Sequence, residues 1–181
     1  MFYLSEQPDG MSMLNIRNAR EDDVAVLTEI GLRAWAQAMG PIGGNEDIRQ
    51  NAVNAFAGFV ESSWLTVMVA EENGVPVGWA ARENLDEVIT DFWVDPDHQR
   101  RGIGSALLQE MEKVIREQDF EMVKLETHAL NNDAVSFFEK NGFHINWLSV
   151  AYSPKLDQDV QSVGMSKSLV EETSGLYGAE F

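Results

Sequence analysis

The chain of 181 residues contains no cysteine, which excludes a disulfide framework, a thiolate metal site and a cysteine nucleophile. Cations are scarce: 13 Lys plus Arg stand against 30 Asp plus Glu, a formal net charge of −17. Binding a phosphate backbone needs clustered Lys and Arg, so this balance argues against nucleic acid as a partner. No apolar run approaches the roughly 20 residues that span a bilayer, and the longest, such as residues 64–70, are strand-sized. No basic-then-apolar leader opens the sequence, so a cytoplasmic protein without a membrane partner is expected. The histidines His98, His128 and His144 lack metal-ligand spacing, and no metal is expected.

What is present suits a globular domain with one substantial core: 44% of residues are apolar and 24% charged. An acidic surface steers a cationic small molecule or a basic protein segment, or serves solubility alone. Residues 1–11 read as a polar extension, 12–169 as one domain and 170–181 as an acidic tail. Within the domain the periodicity alternates. Residues 14–17 form a strand signal, and Val24, Leu27, Gly31, Ala34 and Trp35 recur at helical spacing. Gly40-Pro41 and Gly43-Gly44 break that helix before a second one begins at Asn45. Strands follow at 64–70, 75–81 and 88–94, the first two joined as a hairpin across residues 71–74. A helix over 102–117, a strand over 122–127, a short helix over 133–140 and two strands near 143–150 and 160–169 complete the chain. This order implies an α/β (α+β) sandwich with a central, mostly antiparallel mixed sheet of about seven strands and about four helices.

Gln99-Arg100-Arg101-Gly102-Ile103-Gly104-Ser105 lies between a strand and a strongly amphipathic helix. The first N–H groups of a helix have no intrahelical partner, and the macrodipole adds positive potential there. Glycines at 102 and 104 remove the Cβ atoms that would keep a phosphate from the backbone, and an Arg pair adds charge to a chain poor in it. The segment lacks the lysine of a nucleoside-triphosphate loop and is not the Gly-x-Gly-x-x-Gly dinucleotide pattern.

Val94-Asp-Pro-Asp-His-Gln-Arg-Arg-Gly-Ile-Gly-Ser-Ala-Leu-Leu108 resembles the acetyl-CoA-binding motif of the GNAT superfamily, the GCN5-related N-acetyltransferases. A second motif of that family is matched by Asn131-Asn-Asp-Ala-Val-Ser-Phe-Phe-Glu-Lys-Asn-Gly-Phe143. The resemblance implies an acyl-CoA-dependent N-acyltransferase that moves acetyl from acetyl-CoA directly to a primary amine. It implies that the backbone amides of Gln99, Arg100, Arg101, Gly102, Ile103, Gly104 and Ser105 hold the pyrophosphate. Phe92, Trp93 and Val94 would bond the pantetheine arm like an added strand. A splay between their strand and the 122–127 strand would admit the thioester. Asn131 would contact the cofactor arm, and Phe137 and Phe138 would wall the thiol end, Phe138 also serving the core.

Direct transfer needs a base for the amine. Ribosomal-protein N-terminal acetyltransferases of this superfamily carry a glutamate base five residues before the asparagine matched here by Asn131, which implies Glu126; a residue that pairs with a cation or simply faces water is the alternative. Other members place an acid or His where this chain has Val88, and Thr90, on the same face, could only hold a water. Many relatives carry a tyrosine acid where this chain has Phe138, which puts a tyrosine-dependent mechanism in doubt. Trp35, Met39, Thr90 and His128 are the acceptor-side candidates, together with residues 40–45 as a lid and the stretch near 147–152. The acceptor is expected to be a small-molecule or peptide amine. A homodimer is a further expectation, since dimers are common in the family. A non-catalytic CoA-binding sensor, and a longer-chain or O-acyl transferase, are the alternatives that remain open.

Overall fold

The computed structural model describes residues 12–40, 45–153 and 158–170. Residues 41–44 of the expected 40–45 lid, the extension at 1–11 and residues 171–181 of the expected 170–181 tail lie outside the described residues. Among the described residues, eight strands and four α-helices follow in the order β1 Leu14–Asn18, α1 Val24–Met39, α2 Glu46–Ser63, β2 Val67–Glu72, β3 Val75–Ala81, β4 Val88–Ile89, β5 Asp91–Val94, α3 Ile103–Glu117, β6 Met122–His128, α4 Asn132–Lys140, β7 His144–Ser153 and β8 Gln158–Ser168. One four-stranded sheet has the order β1-β2-β3-β5 and the other β4-β6-β8-β7. Every pairing is antiparallel except β4 with β6.

The first sheet is apolar on both faces because helices cover both. Along β2, Val67 and Val69 point into a core with Leu27, Ile30, Phe56, Val60 and Trp79 beneath α1 and α2. Met68 and Ala70 point the other way, into a core with Leu107, Leu108, Met111 and Ile115 of α3. Period-2 alternation thus distributes one apolar run between two layers. Gly31 sits where a Cβ would fall 2.8 Å from the Phe56 ring, so α1 and α2 close against each other only without one. The buried Trp79 ring donates its Nε1–H to the Leu27 carbonyl at 2.9 Å, which ties β3 to α1.

The β2–β3 hairpin turns at Asn73 and Gly74, both with positive φ (52° and 81°), the primed-turn geometry that suits strand twist. Two expectations are corrected in detail. Residues 64–66 form a 3₁₀ turn that continues α2, held by the Thr66 hydroxyl on the Ser63 carbonyl at 2.8 Å, so the strand begins at Val67. Residues 88–94 are not one strand but two with different partners, and this break shapes the site.

Candidate active site

At Thr90 the chain changes partners. Val88 and Ile89 pair in parallel with Lys124 and Leu125 of β6. The Thr90 N–H then bonds the Ala81 carbonyl at 2.9 Å, and residues 91–94 pair with β3 instead. Beyond Leu125, β6 runs on through Glu126, Thr127 and His128 with no pairing to β5 among the described residues. The two sheets fork there and leave a slot. The Asp95 N–H bonds the Val77 carbonyl of β3 at 2.8 Å. By the alternation of an antiparallel ladder, Phe92 and Val94 therefore turn their N–H and C=O groups toward the slot. The Gln99 amide approaches from that direction and donates to the Val94 carbonyl at 3.1 Å.

A cleft of about 380 Å³ runs from the slot to the N-terminus of α3. Of the residues expected at a cofactor, Phe92, Trp93, Val94, Gln99, Arg100, Gly102, Gly104, Ser105, Asn131, Phe137 and Phe138 line it. Arg100 and Gly102 both adopt left-handed conformations (φ 66° and 80°), which curl the loop around its own amides. The next residues open α3, where N–H groups lack helical acceptors. A Cβ on Gly104 would come 3.2 Å from the Phe137 ring and 3.7 Å from Val94, so its absence keeps the cradle open. Curled amides, a glycine floor and the Arg100 cation fit a diphosphate. Phe92, Phe137 and Phe138 pack with centroids 5.0–5.7 Å apart and make one apolar wall, and Phe138, 5% exposed, belongs to the core as well.

Two of the expected cofactor residues stand apart. Arg101 turns away to pair with Glu72 at 3.3 Å, and the Ile103 side chain is buried in the core, which leaves only its backbone for an anion. His98 faces Asp95 at 3.3 Å and Glu72 at 3.8 Å. The Ser12 hydroxyl, then the charges of Arg101 and His98, hold the Glu72 carboxyl below the usual range.

Sequence reasoning missed the clasp behind this loop. Arg33 of α1 reaches Asp95 at 2.6 Å and Asp97 at 2.8 Å. Asp95, buried, also accepts the Asp97 N–H at 2.9 Å and so caps the turn that leads into Gln99. Arg33 holds the Asp97 carboxyl below its ordinary pKa, first through the hydrogen bond and then through its charge. The strand signal was expected to end at residue 94, but the partner that holds the following turn lies 62 residues away from Asp95. Also missed were Ala34, Gln37 and Ala38, one face of α1 that borders the cleft. Their i, i+3, i+4 spacing and two small side chains were the available signal.

A second cleft of about 330 Å³ opens on the other side of the slot and shares Ala38, Trp93 and Asn131 with the first. Trp35, Met39, Glu126 and His128 line it, so four of the candidates named for chemistry or acceptor meet here. Thr90 does not join them: its hydroxyl is spent on the Ala81 carbonyl at 3.1 Å and the Glu83 N–H at 3.2 Å. Glu126 is exposed, opposite in facing to the buried Leu125, and among the described residues no cation pairs with it. The His128 Nδ1 accepts the Leu130 N–H at 3.1 Å, so a neutral ring carries its proton on Nε2. Asn131 sits at the junction of the two clefts, its Oδ1 capping α4 through the Ala134 N–H at 3.2 Å.

Known proteins resemble this chain in sequence and fold. The profile of the acetyltransferase (GNAT) family matches residues 30–143. The uncharacterized N-acetyltransferase YafP of Escherichia coli K12 is 30% identical over 139 residues, 74% of this chain and 83% of that protein. The ribosomal protein bS18-alanine N-acetyltransferase of the same organism is 34% identical over 74 residues, 40% of this chain and 50% of that protein. Among solved structures, a GCN5-related N-acetyltransferase from Rhodopseudomonas palustris superposes with a TM-score of 0.73 at 22% identity, covering 90% of this chain and 100% of that one. PaiA N-acetyltransferase from Thermoplasma acidophilum, in complex with coenzyme A, gives 0.71 at 18% identity over 86% and 99% of the two chains. At those identities the solved structures share the fold. With the family match over 114 of its residues and YafP matched along most of its length, the chain belongs to the acetyltransferase (GNAT) family and is an N-acetyltransferase.

Proposed function

We propose that the chain transfers an acetyl group from acetyl-CoA directly to a primary amine held in the second cleft. The observation that carries this reading is the fork at Thr90, which opens one slot onto both the glycine cradle and Glu126. Acetyl-CoA would supply an electrophilic thioester carbon and a stable leaving thiol. The amides of Arg100 to Ser105 and the Arg100 side chain hold its diphosphate. The open edge of Phe92 and Val94 receives the pantetheine amides as a strand would, and the Val94 N–H polarises the thioester carbonyl. Glu126 takes the proton that the amine loses, through a water. Phe138 offers no proton, so the thiolate leaves without a tyrosine acid.

Phe138 also favours a second reading, a CoA-binding sensor without turnover. Calorimetric titration with acetyl-CoA followed by a thiol-release assay over pooled amines separates the two. The first reading expects amine-dependent release; binding without release from any amine would support the sensor.

A further inference from the structure

The sheet face around Glu126 carries an arrangement that neither motif describes. Glu126 on β6 stands opposite Gly164 on β8, and Gly164 stands opposite Trp147 on β7. Directly paired residues send their side chains to one face of a sheet. The Trp147 indole occupies the space where a Cβ of residue 164 would be, with ring atoms Cε2, Nε1 and Cζ2 nearest to it. The missing Cβ of Gly164 thus gives the ring a berth over β8, on the face that bears Glu126. Trp147 as a whole remains 46% exposed. From the other side, Trp35 of α1 and Trp93 of β5 line the same cleft as Glu126. The Trp93 ring is oriented by its Nε1–H on Asp91 at 3.2 Å. Of the five tryptophans in the chain, two thus line the cleft of this carboxylate and a third shares its sheet face across Gly164.

Charge in this cleft is as informative as its rings. Among the described residues that line it, Glu126 is the one Asp, Glu, Lys or Arg. One carboxylate balances one ammonium. Among the described residues that line the cleft, a polyamine would set its other ammonium groups against Trp35, Met39 and Trp93, and the carboxylate of a free amino acid would meet no Lys or Arg. Aromatic faces attract a single ammonium and also stack on a flat apolar body.

We propose that the acceptor is a monocationic primary amine on an aromatic body, with its ammonium at Glu126 and its ring against Trp147 and Trp35. This rests on the acetyl-transfer reading above. In the reaction the ammonium loses one proton to Glu126 through water and the freed lone pair forms the C–N bond; the C–S bond breaks with its electron pair passing to sulfur, and the second proton leaving nitrogen passes through water to the thiolate, giving amide and free thiol. Gly164 is then a specificity determinant, because any Cβ there displaces the Trp147 ring.

The test uses the whole chain saturated with CoA, titrated calorimetrically with tryptamine, 2-phenylethylamine, spermidine, glycine and an alanine-initiated tetrapeptide. The two aromatic amines are expected to bind at least about tenfold more tightly than the other three. Trp147→Ala and, independently, Gly164→Ala should each weaken tryptamine about fivefold with CoA affinity unchanged. Tighter binding of spermidine, glycine or the peptide overturns the proposal. So does unchanged tryptamine affinity in both variants. Thiol release from acetyl-CoA is read on the same samples: tight tryptamine binding without release sustains this assignment and sinks the transfer reading instead.

Discussion

Glu126 is a carboxylate on a forked strand, with its neighbour Leu125 buried and its own side chain in the second cleft. If it accepts the amine proton, Glu126→Gln keeps its shape and removes its basicity. Turnover should fall roughly 10²- to 10⁴-fold while acetyl-CoA affinity by calorimetry stays the same. Unchanged turnover would remove Glu126 from the chemistry. The glycines of the cradle were legible at this scale, since Gly102 lies in the left-handed region and Gly104 abuts a ring. The adjacent arginines were not separable by sequence. Arg100 lines the cleft, whereas Arg101 is drawn off by Glu72, a partner 29 residues away on another strand.

Among the elements, helices α3 and α4 could be read from their spacing because each buries one stripe and exposes the rest. The fork could not. Residues on both sides of Thr90 favour extended backbone, and only the Ala81 carbonyl, nine residues back, decides where β6 is abandoned for β3. The glycine loop likewise depends on a contact between elements, the clasp of Arg33 on α1 with Asp95 and Asp97. Arg33 is partly exposed, so the bond itself adds little to global stability. Its effect is on position. Arg33→Ala should weaken acetyl-CoA binding roughly threefold, with the thermal midpoint almost unmoved. An unchanged acetyl-CoA affinity would show that the turn holds its shape without α1.

For the whole molecule, the β2–β3 hairpin was legible in the sequence, but the pairing of distant charges was not. Arg17 of β1 bonds Asp23 at 2.7 and 3.0 Å and Glu71 of β2 at 2.7 Å, and Asp23 also accepts the Arg20 N–H at 2.7 Å. These bonds, Arg17 first, hold the Asp23 carboxyl below its ordinary pKa. A depressed folded pKa contributes stability that is fully present above the unfolded value of about 3.9 and is lost as pH falls through the folded value. Asp23→Asn should therefore cost roughly 1–3 kcal/mol near neutral pH and flatten the acid limb of the denaturation profile below about pH 4. An equally steep acid limb in the variant would place that sensitivity elsewhere. The central claim concerns the slot that joins cradle to carboxylate, and one measurement meets it directly: mass spectrometry of an amine incubated with the protein and acetyl-CoA, with free thiol counted in the same tube. The account expects an N-acetylated amine and free thiol in equal amounts, both abolished when either substrate is omitted. Thiol released without acetylated amine, or acetyl-CoA that fails to bind, would contradict it.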